Sequence, residues 1–285
     1  MRRLSIAVMT AATIVAFSQI AMSADMPTKV PASKAPVAVA PSWTGFYAGL
    51  NAGYGWKNDD TAPLTGDGGG LGSLIIAASS SPQATNSPSG FIGGGQLGYS
   101  WQISTIALAG IEADIQYSHV RDSNISFNQL PSFGGSPVTP IPSSHDLKWF
   151  GTLRGRLGIV AADRLLFFVT GGLAYGGVDA SASFNLSPPF GGIGGGGTTV
   201  TCIGQVCYAG SSCRTAAGWT IGGGVEYLYT NNWSLKAEYL YMDLGSHDVV
   251  MLPLSILAGG PTSMTAHFQD RFNIVRVGLN YKFGG

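Results

Sequence analysis

Four histidines fall in two pairs along the chain, His119 with His145 and His247 with His267. Imidazole is a good ligand for haem iron or a divalent metal, so the four form a candidate haem-binding set. Each pair flanks a long segment that reads as a loop, 119–146 and 246–269, which predicts that all four lie at one end of the molecule. The competing reading makes them solvated loop residues, and no cofactor is then required. Three cysteines, Cys202, Cys207 and Cys213, lie in one glycine-rich stretch. Outside the cytoplasm such thiols oxidise. One loop disulfide with one cysteine left over is expected, against the alternatives of free thiols or a metal site that no nearby histidine completes.

Other motifs mislead. Gly93-Gly94-Gly95-Gln96-Leu97-Gly98 matches the spacing of a dinucleotide loop. That chemistry needs a strand before the glycines and a helix after them, whereas here they sit within an alternating segment that ends Tyr99-Ser100-Trp101. The Gly191–Gly197 run has no Lys-Ser/Thr partner for phosphate. No nucleophile, base and orienting group stand out together, so the chain is not expected to be an enzyme.

The larger constellation is one of charges. In Trp149–Ile159, Arg154 and Arg156 fall on the parity opposite to Trp149, Leu153 and Leu157. Trp233–Tyr241 sets Lys236 and Glu238 against Trp233, Leu235 and Tyr239. Asn273–Phe283 sets Arg276 against Val275, Val277 and Leu279, and Ile111–Tyr117 sets Glu112 and Asp114 against Ile111 and Ile115. A period of two means strands. A wide apolar face opposite a face that carries all the charge suits a transmembrane β-barrel with lipid outside and polar groups within. Glu226 joins the inward set, giving four acids and four bases. An eight-stranded barrel is only just wide enough for side chains to fill, so the eight are expected to form a hydrated salt-bridge core. An ion pathway lined by them is the alternative. Inward glycines such as Gly53, Gly94, Gly98 and Gly224 leave room for the long basic chains.

Composition agrees. Charged residues are 11% of the chain, aromatics reach 11% and there are 42 glycines, against roughly 25% charged in soluble proteins. Mean hydropathy is +0.22, yet beyond the N-terminus no apolar run is long enough for a membrane helix. Residues 1–24 read as a secretory leader: Arg2 and Arg3, an apolar Leu4–Phe17, then Ala21 and Ser23 before the cut. Fifteen basic residues balance fifteen acidic ones, and no basic excess points to nucleic acid. Residues 25–42, with Pro27, Pro31, Pro36 and Pro41, read as an extended periplasmic tether, with contacts near the peptidoglycan as one role.

Residues 43–283 then hold eight strand candidates: 43–56, 90–102, 106–118, 147–160, 165–179, 214–229, 233–245 and 270–283. Short links (103–105, 161–164, 230–232) alternate with long ones (57–89, 119–146, 180–213, 246–269), as periplasmic turns alternate with extracellular loops. An even strand number puts both termini in the periplasm. Aromatic residues cluster at strand ends on the outward parity, which predicts two interfacial belts.

Trp43-Thr44-Gly45-Phe46-Tyr47-Ala48-Gly49-Leu50-Asn51-Ala52-Gly53-Tyr54-Gly55-Trp56 resembles the opening strand of the small porin-like outer-membrane protein family of alphaproteobacteria, which includes major surface antigens. Gly151-Thr152-Leu153-Arg154-Gly155-Arg156-Leu157-Gly158 and Val277-Gly278-Leu279-Asn280-Tyr281-Lys282-Phe283 are similar to it as well. The resemblance implies an all-β, eight-stranded antiparallel barrel in the outer membrane, in contact with lipid and lipopolysaccharide. It also implies assembly by the barrel-insertion machinery, which reads terminal aromatics; Tyr281 and Phe283 fill that role, with Phe283 displaced from the end by Gly284 and Gly285. Some relatives are described as haem-binding and others as porins. The expected function is a structural, surface-exposed envelope component with weak passage of small solutes. A haem or small-ligand receptor is one alternative. A soluble lipocalin-like barrel, with apolar faces turned inward, is the other.

Overall fold

The computed structural model describes residues 42–57, 60–66, 83–129, 138–185, 206–254 and 263–283. The leader candidate, the tether candidate up to residue 41 and the Gly191–Gly197 run lie outside them, as does Cys202.

Eight strands close into a ring: β1 (Gly45–Trp56), β4 (Ser89–Gln102), β5 (Ala107–Gln129), β6 (Val138–Ala162), β7 (Leu165–Asn185), β8 (Val206–Leu228), β9 (Trp233–Pro253) and β10 (Met264–Phe283). Each pairs antiparallel with the next, and β10 returns to β1 from Phe46↔Phe283 to Trp56↔Asn273. Two short strands, β2 (Asp60–Gly66) and β3 (Gln83–Asn86), lie between β1 and β4. β2 pairs with β3 and with the far end of β10, so the pair continues β1 and β4 and carries the ring onward.

The short connections lie at one end, with the described chain ends. There, hydroxyls fix the turns: the Ala107 amide donates to Ser104 Oγ at 3.0 Å and the Trp233 amide to Thr230 Oγ1 at 3.0 Å. Such hydroxyl-to-backbone bonds hold a chain reversal without secondary structure.

The apolar parity faces outward. Leu50, Leu153, Val169 and Val277 are each at least half exposed, while Glu112, Arg154, Lys236 and Arg276 are buried inside. This orientation excludes the lipocalin-like alternative, which needs the reverse. Aromatic pairs bound the apolar band. At the short-turn end stand Phe46–Tyr99 and Trp233–Tyr281, with ring centroids 4.5 and 5.1 Å apart. At the other end stand Tyr54–Phe91, Trp149–Tyr175 and Trp219–Tyr241, at 5.4 to 6.0 Å. Phe46 and Tyr54 are eight residues apart on β1, roughly 27 Å along an untilted strand, which fits a lipid-facing band between interfacial girdles.

Beyond the second belt the strands continue further than the sequence pattern predicts. The segments expected as loops at 119–146, 180–213 and 246–269 are in large part strand. The reason is an inversion of polarity. On β7, Leu173 and Tyr175 face outward, but higher up the outward residues are Asp179, Ser181 and Ser183. Val178, Ala180, Ala182 and Phe184 are buried inside. The extension is thus a water-facing barrel on top of a lipid-facing one. Its small, polar outer residues mimic loop composition.

Candidate functional site

The interior is stacked in layers. At the short-turn end Trp43, Leu108, Leu166 and Leu228 form an apolar plug. Trp43 is held across the opening: its backbone amide donates to Gln102 Oε1 at 3.0 Å and its indole N–H to the Asp163 carbonyl at 3.3 Å.

The eight predicted charges come together in the next layer. Arg154 on β6 donates to Glu112, to Asp114 Oδ2 at 2.9 Å and to Glu238 Oε1 at 2.5 Å. Arg276 on β10 donates to Asp114 Oδ2 at 2.9 Å and to Glu238 Oε2 at 2.9 Å. Lys236 Nζ lies 2.8 Å from both oxygens of Glu112. Arg156 pairs with Glu226 and stacks over Phe168, 4.0 Å from the ring centroid. Burying ions is costly unless each is paired and hydrogen-bonded, and polar side chains complete the shell. Asn280 and Ser234 donate to Glu226, and Thr152 donates to Asp114. Among the described residues, Arg154 Nε, Asp114 Oδ1, Arg276 Nη1 and both amide atoms of Gln116 have no hydrogen-bond partner, so the network has capacity for bound water.

Tyr47 belongs to this layer and was not among the predicted residues. Its hydroxyl donates to Glu112 Oε2 at 2.7 Å and lies 3.5 Å from Arg156. Gly98 makes this placement work, because a Cβ there would stand 2.5 Å from the Tyr47 hydroxyl and ring. The signal was present in the sequence: Tyr47 shares the inward parity of Gly49, Asn51 and Gly53.

A second apolar layer, including Ile92, Leu147, Phe150, Met242, Phe272 and Ile274, covers the charges. Above it lies a smaller polar layer. His145 Nε2 meets Asp270 Oδ1 at 2.8 Å, His247 Nδ1 meets Asp270 Oδ2 at 3.0 Å, and Arg214 Nη2 donates to Oδ2 at 2.9 Å. Lys57 Nζ lies 3.2 Å from His145 Nδ1. A third apolar layer, which contains Ile141, Phe184, Val249, Met264 and Phe268, closes the extension.

Two β-bulges build this polar layer. Extrapolated alternation puts His145 and His247 on the outward parity of β6 and β9. On β6 the register shifts between Leu147 and Trp149, so Lys148 and Trp149 both face out and His145 turns in. On β9, Gly245 takes φ +84° beside the register shift opposite Gln269–Arg271. Leu244 and His247 are consequently both inward, with Gly245 and Ser246 between them. A bulge inserts one residue and reverses facing beyond it, and neither has a clear sequence signature.

The four histidines, the haem candidates, do not converge on one site. His145 and His247 are internal and engage Asp270. His119 is exposed on the outer wall, and His267, also outward, contacts Thr65 Oγ1 and Asp248 Oδ1 at 3.0 and 2.6 Å. Among the described residues no His, Cys, Asp and Glu group is arranged to hold a metal ion. Cys207 is disulfide-bonded and buried, and Cys213 is an exposed free thiol.

Comparison with known proteins agrees with this architecture. Residues 29–283 match the model of the outer membrane protein beta-barrel domain family. The chain is 36% identical over 279 residues to the 31 kDa outer-membrane immunogenic protein of Brucella melitensis, covering 94% of this chain and 95% of that one. It is 29% identical over 219 residues to the 22 kDa outer membrane protein of Rhizobium leguminosarum, covering 76% and 72%. Among solved structures, the outer membrane protein OprG of Pseudomonas aeruginosa aligns with TM-score 0.42 and 11% identity, over 85% of this chain and 97% of that one. The chain belongs to the outer membrane protein beta-barrel domain family, together with its Brucella and Rhizobium relatives, and is an outer-membrane protein.

Proposed function

We propose that the protein is a non-enzymatic, structural component of the outer membrane, with the short-turn end and both termini in the periplasm and the extension outside the cell. The observation that carries this reading is the layered interior. Among the described residues two buried polar layers alternate with three apolar ones, and a lumen filled in this way suits a scaffold better than an open channel. The Brucella relative is described as immunogenic, which supports surface display of the extension and its loops. Weak passage of small solutes requires the apolar layers to part.

The same reading assigns roles to the remaining features. The outward apolar band contacts lipid, and the lipopolysaccharide leaflet meets the girdle at the extension end. Tyr281 and Phe283, with rings 5.2 Å apart on the strand that closes the ring, serve as the aromatic signal to the insertion machinery. Residues 25–42 act as a periplasmic tether near the peptidoglycan.

Single-channel recording of the chain from residue 25 onward, refolded in a planar bilayer, tests the central claim. A silent bilayer, with folding shown by a heat-dependent gel shift, is expected. Steady discrete steps altered by Arg154→Ala or Glu238→Ala would convert the charge layer from a scaffold into a conduction path.

A further inference from the structure

The His145–Asp270–His247 layer is not used by the reading above. It sits where the lipid-facing barrel gives way to the extension: His145 is four residues beyond the belt residue Trp149 on β6, roughly 13 Å along the strand. Its members come from five walls, with Lys57 at the end of β1, His145 on β6, Arg214 on β8, His247 on β9 and Asp270 on β10. On β5, Asp122 is the register partner of His145, and its carboxylate is taken by the Ser87 amide at 2.7 Å. On β7 the register partner of His145 is Ala180. Phe268 and Phe272 pack against the imidazole from β10, with centroids at 5.5 and 6.0 Å.

The geometry fixes the protonation state. Lys57 Nζ carries only donors, so His145 Nδ1 must accept from it. His145 Nε2 then carries the proton and donates to Asp270 Oδ1. His145 is therefore a neutral bridge between the ammonium and the carboxylate. A second proton on His145 would set an N–H against the Lys57 ammonium at 3.2 Å, two cations in a site with almost no solvent.

We propose that this layer is an acid-sensitive clasp between barrel and extension, closed while His145 is neutral and released when it gains a proton. Burial holds the His145 imidazole below its ordinary value, and Lys57 pushes the same way against the hydrogen bond to Asp270. Burial opposes ionisation of Asp270, but hydrogen bonds from both histidines outweigh it and keep its carboxyl far below the usual range. The sign follows. A group that binds its proton more weakly in the closed form stabilises that form above its open-state value, about 6.5, and this contribution fades as pH falls below it. Asp270 stays ionised throughout that window, so the change does not come from its carboxyl.

Hydrogen exchange of the intact refolded protein in lipid vesicles, at about pH 7.5 and about pH 5 with intrinsic rates corrected, reads the clasp directly. Protection of residues 60–66, 141–147 and 247–252 is expected to fall on the order of tenfold at the lower pH. The lipid-facing halves of β1 and β10 should not change. His145→Gln offers an acceptor to Lys57 and a donor to Asp270 without titrating, and should keep protection at both pH values. Lys57→Met removes the opposing cation and should shrink the pH-dependent loss. Equal protection of the unmodified protein at both pH values would overturn the proposal, as would an undiminished loss in either variant. None of these outcomes depends on which side of the membrane the extension faces, so they stand apart from the conductance experiment.

Discussion

Arg154 and Arg276 grip the same atom, Oδ2 of Asp114, at 2.9 Å each. They come from β6 and β10, which stand on opposite sides of the eight-stranded ring, so this shared carboxylate ties the walls together across the lumen. Both arginines also reach Glu238. Removing one leaves acids under-compensated in a buried site, which typically costs about 3–5 kcal/mol. Arg276→Met should therefore sharply lower the urea midpoint of the barrel in vesicles, followed by tryptophan fluorescence. Because the two arginines share partners, Arg154→Met and Arg276→Met should combine non-additively, by more than about 0.5 kcal/mol. Strict additivity in the double variant would mean that they act as separate pairs.

The charge layer was legible in the sequence, and the histidine layer was not. Glu112, Arg154, Lys236 and Arg276 lie in strands whose alternation is unbroken between the two belts, so parity alone assigns their facing. His145 and His247 lie beyond bulges at Lys148–Trp149 and at Gly245, each of which reverses parity. Asp270 keeps its predicted inward parity, but its partners could not be named without those bulges. The strands of the extension were missed for a related reason: Ser181, Ala182 and Ser183 alternate too weakly in hydropathy to be told from a loop.

The lipid-facing assignment predicts where a charge is tolerated. Leu153 is outward and half exposed in the middle of the apolar band, and arginine near the bilayer midplane costs about 2–4 kcal/mol. Ser123, exposed on the outer wall of β5 in the extension, faces water in the same reading. Leu153→Arg should reduce folding yield in vesicles well below that of Ser123→Arg. Equal yields for the two arginine variants would place lipid on the wrong part of the wall.

Gly245 carries the bulge that turns His247 inward. Its φ is +84°, and no atom of the described residues outside its chain neighbours lies within 4 Å of an added Cβ, so a substitution there meets backbone strain rather than a clash. A β-branched residue with left-handed backbone costs roughly 1–2 kcal/mol, and asparagine adopts that region more readily. Gly245→Val should favour slippage of the bulge and raise hydrogen exchange in residues 246–252, while Gly245→Asn stays close to the parent. If both variants match the parent, the positive φ has no part in holding the register.

Cys213 is exposed and is the register partner of Asp179 on the neighbouring strand. Asp179, as hydrogen-bond acceptor and as a negative charge, raises the thiol above its ordinary value, and Lys148 only partly offsets this. The thiolate is the nucleophile, so Cys213 should alkylate slowly near neutral pH despite its exposure. Asp179→Asn removes the charge, lowers the thiol toward its usual range and should speed the reaction. Mass spectrometry without reductant should find one modified cysteine, because Cys207 is disulfide-bonded. Two or three modified thiols in the unreduced protein would remove the disulfide. A rate unchanged in Asp179→Asn would show that Asp179 does not restrain Cys213 in solution.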